Sequence, residues 1–232
     1  MGQHTVASFD EDLEHLDRLI REMGDLSAAM TQAATRSLLY SDNALAQRVI
    51  SDDVVMDAKQ RELDERAITL IAKRQPMAQD LRAVVGAIRM AADLERIGDL
   101  AKNIAKRVGA VGGGAPRGLT QPIETMSNMV LEQVNLVVDR YVTRQPEALT
   151  KLRDEDEKID IQYTSVFRQL LTYMMEDPRN ITACTHLLFC AKNLERIGDH
   201  VTNIAENAYY VLTGLQLPVQ RPKQDETQVT AG

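Results

Sequence analysis

The sequence spells one segment twice. Residues 94–99 read LERIGD, and residues 194–199 read LERIGD again, 100 positions later. The register holds on both sides without a gap. Ala91 aligns with Ala191, and Asn103-Ile104-Ala105 aligns with Asn203-Ile204-Ala205. Ten of the fifteen positions from 91 to 105 match their counterparts, a density that marks a duplicated unit. A fold proposed for one half therefore has to serve the other.

Both copies carry a helical pattern. From Val6 to Tyr40 apolar residues recur at helical spacing through Phe9, Leu13, Leu16, Ile20, Met23 and Met30. Ser41 and Asp42 are cap-type residues, and a second helix runs from them to Arg74 through Leu45, Val49, Val55, Leu63 and Ile68. Gln75-Pro76 breaks the pattern, because proline suits a first helical turn and disfavours helix for the residue before it. The third helix runs to Val108 on a stripe of Ala83, Ala87, Met90, Leu94, Ile97, Ala101, Ile104 and Val108. Its alternation of three and four is the seam of a helix bundle.

The second half repeats the scheme. Thr120 and Pro122 open a helix to Thr143, and Gln145-Pro146 opens another to Glu176. After Asp177-Pro178 a last helix runs from Asn180 to Leu212, and Gly214 ends it. Aromatic residues are only 4% with no Trp, so the core must rest on aliphatic, Met and Ala side chains, which suits packed helices. The expected fold is all-α: two tandem three-helix bundles, six long helices, related by internal duplication. The expected divisions are a first bundle over 6–108, a glycine-rich linker over 109–118, a second bundle over 119–213 and a mobile polar tail over 214–232.

Several functions are disfavoured. A net charge of −7 offers no support for a surface that neutralises nucleic-acid phosphates. No strand precedes the glycine segment, which argues against a nucleotide-binding loop. No Ser-His-Asp or Cys-His signature is visible, so no enzyme is expected. Cys184 and Cys190 have neither C-x-x-C nor helical-stacking separation, and buried free thiols in a reducing compartment are expected. Residues 1–12 lack a basic segment followed by an apolar one, and no apolar run of about 18 residues occurs, so a cytoplasmic chain without a membrane span is expected.

The chemistry that remains is carboxylate chemistry. Glu95 and Asp99 are four apart, as are Glu195 and Asp199, and such residues are neighbours on a helix edge. The middle helix of each half adds a second row: Asp53 with Asp57, and Asp156 with Asp160. The rows stand at matching heights. Asp57 is nineteen residues before Pro76 and Glu95 nineteen after it, while Asp160 is eighteen before Pro178 and Glu195 seventeen after it. Four carboxylates at one level repel unless lysine or arginine, protons or a metal sits between them. Arg61, Arg96, Lys102 and Lys106 lie near the first rows and are the bland solution, a solvated charged face. The sharp solution is a cation, and oxygen-rich sites favour Mg, Ca, Mn or Fe. Gly98 and Gly198 read as points of close helix approach, or as room for a ligand beside the acids.

These features resemble the PhoU family of phosphate-signalling regulators. The resemblance rests on Glu95-x-x-x-Asp99 and Glu195-x-x-x-Asp199 within the two LERIGD repeats, and on residues 74–78 before Asp80-Leu81-Arg82. It covers residues 6 to 213 and implies two similar three-helix bundles, often as a homodimer. It implies a cytoplasmic negative regulator of phosphate uptake and of the phosphate-starvation response. Such a regulator is an adaptor between the phosphate ABC transporter, at its ATPase subunit, and a sensor histidine kinase. Some members carry iron or zinc clusters on the acidic motif, others magnesium or no metal. Carried over, the implied ligands are Glu95, Asp99, Glu195 and Asp199. Asp53, Asp57, Asp156 and Asp160 are added from spacing, for a divalent or trivalent ion such as Mg, Mn, Fe or Zn. One departure is Asp93 against Asn193, which leaves room for unequal halves. The alternatives are a carboxylate-bridged metalloenzyme, for which the usual Glu-x-x-His is missing, and a helical adaptor without metal.

Overall fold

A computed structural model of the chain describes residues 2–111 and 117–217. Its helices are α1 (Gly2–Tyr40), α2 (Asn43–Arg74), α3 (Gln79–Ala105), the single turn α4 (Val108–Val111), α5 (Arg117–Val142), α6 (Pro146–Glu176) and α7 (Ile181–Thr213). No strand occurs among the described residues. The all-α fold with six long helices is therefore as expected.

The helix ends follow local chemistry, with three departures from the sequence reading. Asp42 caps α2 as expected, its Oδ1 accepting from the Leu45 N–H at 2.9 Å. Helix α3 begins at Gln79 rather than at Pro76, because Gln75 takes left-handed helical backbone (φ 48°) and Ala78 a different positive-φ conformation (φ 49°, ψ −105°), which make a turn around the proline. At its other end α3 stops at Ala105, and α4 occupies residues 108–111, inside the segment expected as linker. Helix α5 starts at Arg117, so Pro122 lies beyond its first turn. Proline 122 has no N–H to offer the Gly118 carbonyl, which instead accepts from Gln169 Nε2 of α6 at 3.3 Å. The rest of the expected linker, 112–116, and the expected mobile tail from 218 onward lie outside the described residues.

Helices α1, α2 and α3 pack on one another, as do α5, α6 and α7, giving the two expected bundles. The bundles also pack directly together, α3 against α7 and α1 against α5. Both contacts run antiparallel. Along α3 and α7, Gly86 meets Val211, Asp93 meets His200 and Arg107 meets His186. Along α1 and α5, Asp17 meets Tyr141, Gly24 meets Val138 and Thr35 meets Ser127. Two copies of one unit joined antiparallel along equivalent helices are related by an approximate two-fold rotation. It brings the two LERIGD segments to the same level.

The consequence is one hydrophobic core rather than two. Leu94, Ile97 and Ile104 of α3 and Leu194, Ile197 and Ile204 of α7 are fully buried in a single cluster that draws on both halves. Glycines let the helices approach. A Cβ at Gly86 would stand 2.1 Å from Val211 Cγ2, and one at Gly24 would stand 2.6 Å from Val138 Cγ2. Between α1 and α5 the buried Ser127 hydroxyl donates to Thr35 Oγ1 at 2.8 Å, which satisfies both groups inside the core. Cys184 and Cys190 are free and buried, as their spacing suggested.

Candidate functional site: two acidic rows

The acidic rows form where each LERIGD helix meets the middle helix of its own half. On α3 the residues Leu94, Ile97 and Gly98 are buried, and helical spacing then sets Glu95 and Asp99 together on the adjoining edge. On α2 the buried Met56 plays the same part between Asp53 and Asp57. A Cβ at Gly98 would lie 3.3 Å from Met56 Cγ, so this glycine sets how closely α2 approaches α3.

The other three first-half acids all act on Glu95. Burial pushes the Glu95 carboxyl above its ordinary range, and Asp99, Asp57 and Asp53 add to the shift while Arg96 partly offsets it. Lysine 102 is the organising cation. Its Nζ lies 2.6 Å from Asp53 Oδ2 and 2.5 Å from Asp99 Oδ1, tying α2 to α3. Burial pulls the Lys102 ammonium down, but its bonds to Asp53 and Asp99 outweigh that and hold it up at about 12. Arg96 is a weaker partner: it lies 3.8 Å from Glu95 and 3.5 Å from Asp99 with a side chain 62% exposed to screening solvent. Arg61 turns its Nε to the Asp57 backbone carbonyl at 3.1 Å.

The second row has the same types of acid, with Lys192 beside Glu195. Glu195 is only 9% exposed. Its Oε1 accepts from Lys192 Nζ at 2.7 Å, while its buried Oε2 has no hydrogen-bond partner among the described residues. Burial raises the Glu195 carboxyl; the Lys192 bond opposes this, and Asp199 and Asp160 reinforce it. Lys192 also lies 5.2 Å from the centre of the Tyr163 ring, a cation–π distance. Asp156 is buried, and its Oδ1 would stand 3.0 Å from a Cβ placed on Gly198. Gly198 thus leaves room for a carboxylate as well as for Ile159 at 3.2 Å, whereas Gly98 faces methionine.

The donor set is all oxygen, which suits a hard cation. In the first half the Lys102 ammonium stands between Asp53 and Asp99; in the second, the buried Glu195 Oε2 has no hydrogen-bond partner among the described residues. Among the described residues no group of three or more His, Cys, Asp or Glu side chains is arranged to hold a metal as it stands. His200 does not join the second row. Its Nδ1 lies 2.9 Å from Asp93 Oδ1 across the contact between the halves, and Asn203 Nδ2 donates to the same oxygen at 3.4 Å. The sequence reading named Lys102 only as one neutraliser among several and passed over Lys192. Both stand three residues from an acid of the repeat, Lys102 after Asp99 and Lys192 before Glu195, and that helical spacing was the available signal.

Comparison with known proteins gives one consistent result. The PhoU domain matches residues 20–108 and 123–208, once in each half. The "Phosphate-specific transport system accessory protein PhoU homolog" of Rhizobium meliloti (strain 1021) is 58% identical over 225 residues, covering 97% of this chain and 95% of that protein. The homolog of the same description from Caulobacter vibrioides (strain NA1000 / CB15N) is 46% identical over 226 residues, covering 97% and 98%. The crystal structure of PhoU from Pseudomonas aeruginosa superposes with a TM-score of 0.85 at 33% identity, covering 89% of this chain and 100% of that one.

Proposed function

The chain belongs to the PhoU family, and from that premise we propose that it is an accessory protein of a phosphate-specific transport system which restrains phosphate uptake and the phosphate-starvation response. The observation that carries this is the end-to-end match to relatives of that description, 97% of this chain against 95% of the Rhizobium meliloti protein. In this reading the protein works by docking, without catalysis, at the cytoplasmic side of the membrane. No described helix is long and apolar enough to cross a bilayer, so membrane partners must hold it there. Those partners are the ATPase subunit of the phosphate ABC transporter and the sensor histidine kinase, and the protein acts as a homodimer.

The acidic rows serve that role as places where a divalent or trivalent ion such as Mg, Mn, Fe or Zn can settle. Glu195, Asp199, Asp156 and Asp160 would hold it in the second half; Glu95, Asp99, Asp53 and Asp57 are the corresponding set in the first. A bound cation supplies positive charge that relieves the repulsion between carboxylates and fixes α7 to α6. The buried Glu195 Oε2, without a hydrogen-bond partner among the described residues, supports the reading, since such an oxygen is costly unless a proton or cation satisfies it.

A deletion strain tests the regulatory role: phosphate-starvation genes should be expressed even when phosphate is ample. Tagged protein incubated with membranes from phosphate-replete cells should retain the transporter ATPase and the kinase. Normal repression in the deletion strain, together with recovery of neither partner, would defeat the proposal.

A further inference from the structure

The contact between α3 and α7 has an outer side that faces away from the core. Residues seven apart point in nearly the same direction on a helix. Two such lines border the contact, Arg89 and Arg96 on α3, and Phe189, Arg196, Asn203 and Tyr210 on α7, and all six residues are exposed. With Asp93 beside His200 and the helices antiparallel, Arg96 and Arg196 stand level with each other, next to the approximate two-fold. Arg89 stands level with Asn203, whose side chain donates to Asp93 across the contact. At the two ends the Arg82 guanidinium lies over the Tyr210 ring at 5.7 Å, and the Arg107 guanidinium lies over the Phe189 ring at 4.3 Å. From Arg82 to Arg107 the strip is roughly 38 Å long at 1.5 Å per residue.

We infer that this strip is a docking surface for an acidic helical segment of a partner protein. Its charge is the first reason, because five arginines line it in a protein of net charge −7. Among the described residues only Arg96 of the five has a carboxylate within 4 Å, in Glu95 at 3.8 Å and Asp99 at 3.5 Å, and that contact is open to solvent. Asp93, the acid inside the contact, is already engaged by His200 and Asn203. A guanidinium is the side chain whose forked donors match a carboxylate. The width of the strip is the second reason. Glu95 and Asp99 border it on one side, Glu195 and Asp199 on the other. A bilayer surface or a nucleic-acid duplex would meet those carboxylates as well as the arginines, whereas a segment about 10–12 Å across, the width of one helix, meets the arginines alone. The third reason is preorganisation. The rings of Tyr210 and Phe189 hold Arg82 and Arg107, and His186 Nδ1 lies 3.1 Å from the Arg107 guanidinium, so less ordering is left to the docking step. This rests on the docking role proposed above and adds to it the surface and the chemistry of what it receives.

The test uses the full-length chain and a fluorescein-labelled, Ala-rich helical peptide of about 25 residues that carries one stripe of glutamates. Fluorescence anisotropy should show binding that weakens as salt rises, and the same peptide with glutamine in the stripe should not bind. Arg89→Glu combined with Arg196→Glu should weaken binding at least about tenfold, the loss of one or two charge-assisted contacts. Arg18→Glu combined with Arg36→Glu makes the same change of net charge on exposed positions of α1 and should leave binding within about twofold. Folding is checked by circular dichroism, and glutamine at 89 and 196 stands in if the glutamate variant does not fold. Equal binding of the two peptides overturns the inference, as does equal binding by the two charge-reversed variants. Tighter binding of anionic vesicles or of duplex DNA than of the glutamate peptide, lost with the same arginines, overturns the choice of partner. In a deletion strain the wild-type chain should restore repression of phosphate-starvation genes and the variant at 89 and 196 should not. Full repression by that variant overturns the inference, whereas a wild type that restores nothing while binding the peptide overturns the regulatory reading and leaves the surface standing.

Discussion

Asp64 shows how one side chain ties stability to pH in this protein. Its Oδ1 is buried without a hydrogen-bond partner among the described residues, and burial raises its carboxyl above the ordinary value. The folded chain therefore holds this proton to a higher pH than the unfolded chain does. The stability associated with it is complete below the unfolded pKa and is lost as pH rises through the folded one. Asp64→Asn should therefore melt above wild type at pH 7, with the gap closing as pH falls into the carboxylate range; thermal melts across pH 3 to 7 read this directly. Equal melting temperatures at every pH would show that the burial costs nothing. Gly98 and Gly198 make a second residue-scale contrast. Replacing Gly with Ala inside a helix gains roughly 0.5–1 kcal/mol where space allows. Gly98→Ala meets Met56 Cγ at 3.3 Å, a flexible neighbour, and should leave Tm within a few degrees of wild type. Gly198→Ala meets Asp156 Oδ1 at 3.0 Å and must push that carboxylate aside, so under the proposed metal role it should weaken Mn²⁺ uptake measured by equilibrium dialysis. Gly198→Ala with undiminished uptake would remove Asp156 from the proposed ligand set. That the eight acids fall into two rows was legible in the sequence, because four-residue spacing and duplication mark the rows without further context. The direction in which Lys102 and Lys192 reach was not, since a lysine three residues from a carboxylate has several rotamers and only the facing helix selects one.

The helices were legible because their apolar residues keep a 3.6-residue period over seven or more turns, too regular to serve a strand. Their ends were less so. Gln75 and Ala78 are not residues that announce a positive φ, so nothing in the sequence marked the turn that delays α3 to Gln79. Pro122 suggested a helix start, yet the helix begins earlier because a glutamine from α6 satisfies the carbonyl that the proline leaves unpaired. The pairing of α3 with α7 was also hidden. The stripe from Ala83 to Val108 reads as the seam of its own bundle, and periodicity says nothing of a second partner on the neighbouring face. That partner has a sharp steric requirement. A Cβ at Gly86 would overlap Val211 Cγ2 at 2.1 Å, and valine cannot swing away because its χ1 is restricted on a helix. Gly86→Ala should cost about 1–3 kcal/mol, the range for overpacking a filled core. Val211→Ala in the same chain should recover part of that loss, because the two substitutions share one space. Urea melts of the two single variants and the double variant measure the coupling, and strictly additive losses would mean that the α3–α7 contact is looser than drawn.

At the scale of the whole molecule, the approximate two-fold makes the halves interdependent. The sequence suggested two bundles connected by a glycine segment, and independent unfolding would follow from that arrangement alone. The structure instead buries Leu94 and Ile97 in one cluster with Leu194 and Ile197, and seals the contact with groups that one half cannot satisfy by itself. Thr35 bonds to Ser127, Asp17 accepts from the Tyr141 hydroxyl at 2.6 Å and pairs with Arg144, and Asp93 meets His200. This last pair has no symmetry mate, because the equivalent positions hold Asn193 and Leu100. The contact therefore specifies which half faces which way more fully than a pure duplication would. Apolar burial is worth about 25 cal/mol per Å², and a half released from its partner would expose both the α3 and α1 faces to water at once. Neither half should then be a stable unit. We expect the intact chain to unfold in urea as a single transition, coincident by circular dichroism and by hydrogen exchange of the buried amides of α3 and α7. Residues 1–111 produced alone should lack cooperative unfolding or self-associate through the uncovered face, and adding the other half should restore a cooperative transition. A monomeric 1–111 fragment that melts as sharply as the full chain, or a two-step melt in which α1 to α3 outlast α5 to α7, would show instead that the halves are separate domains that happen to touch.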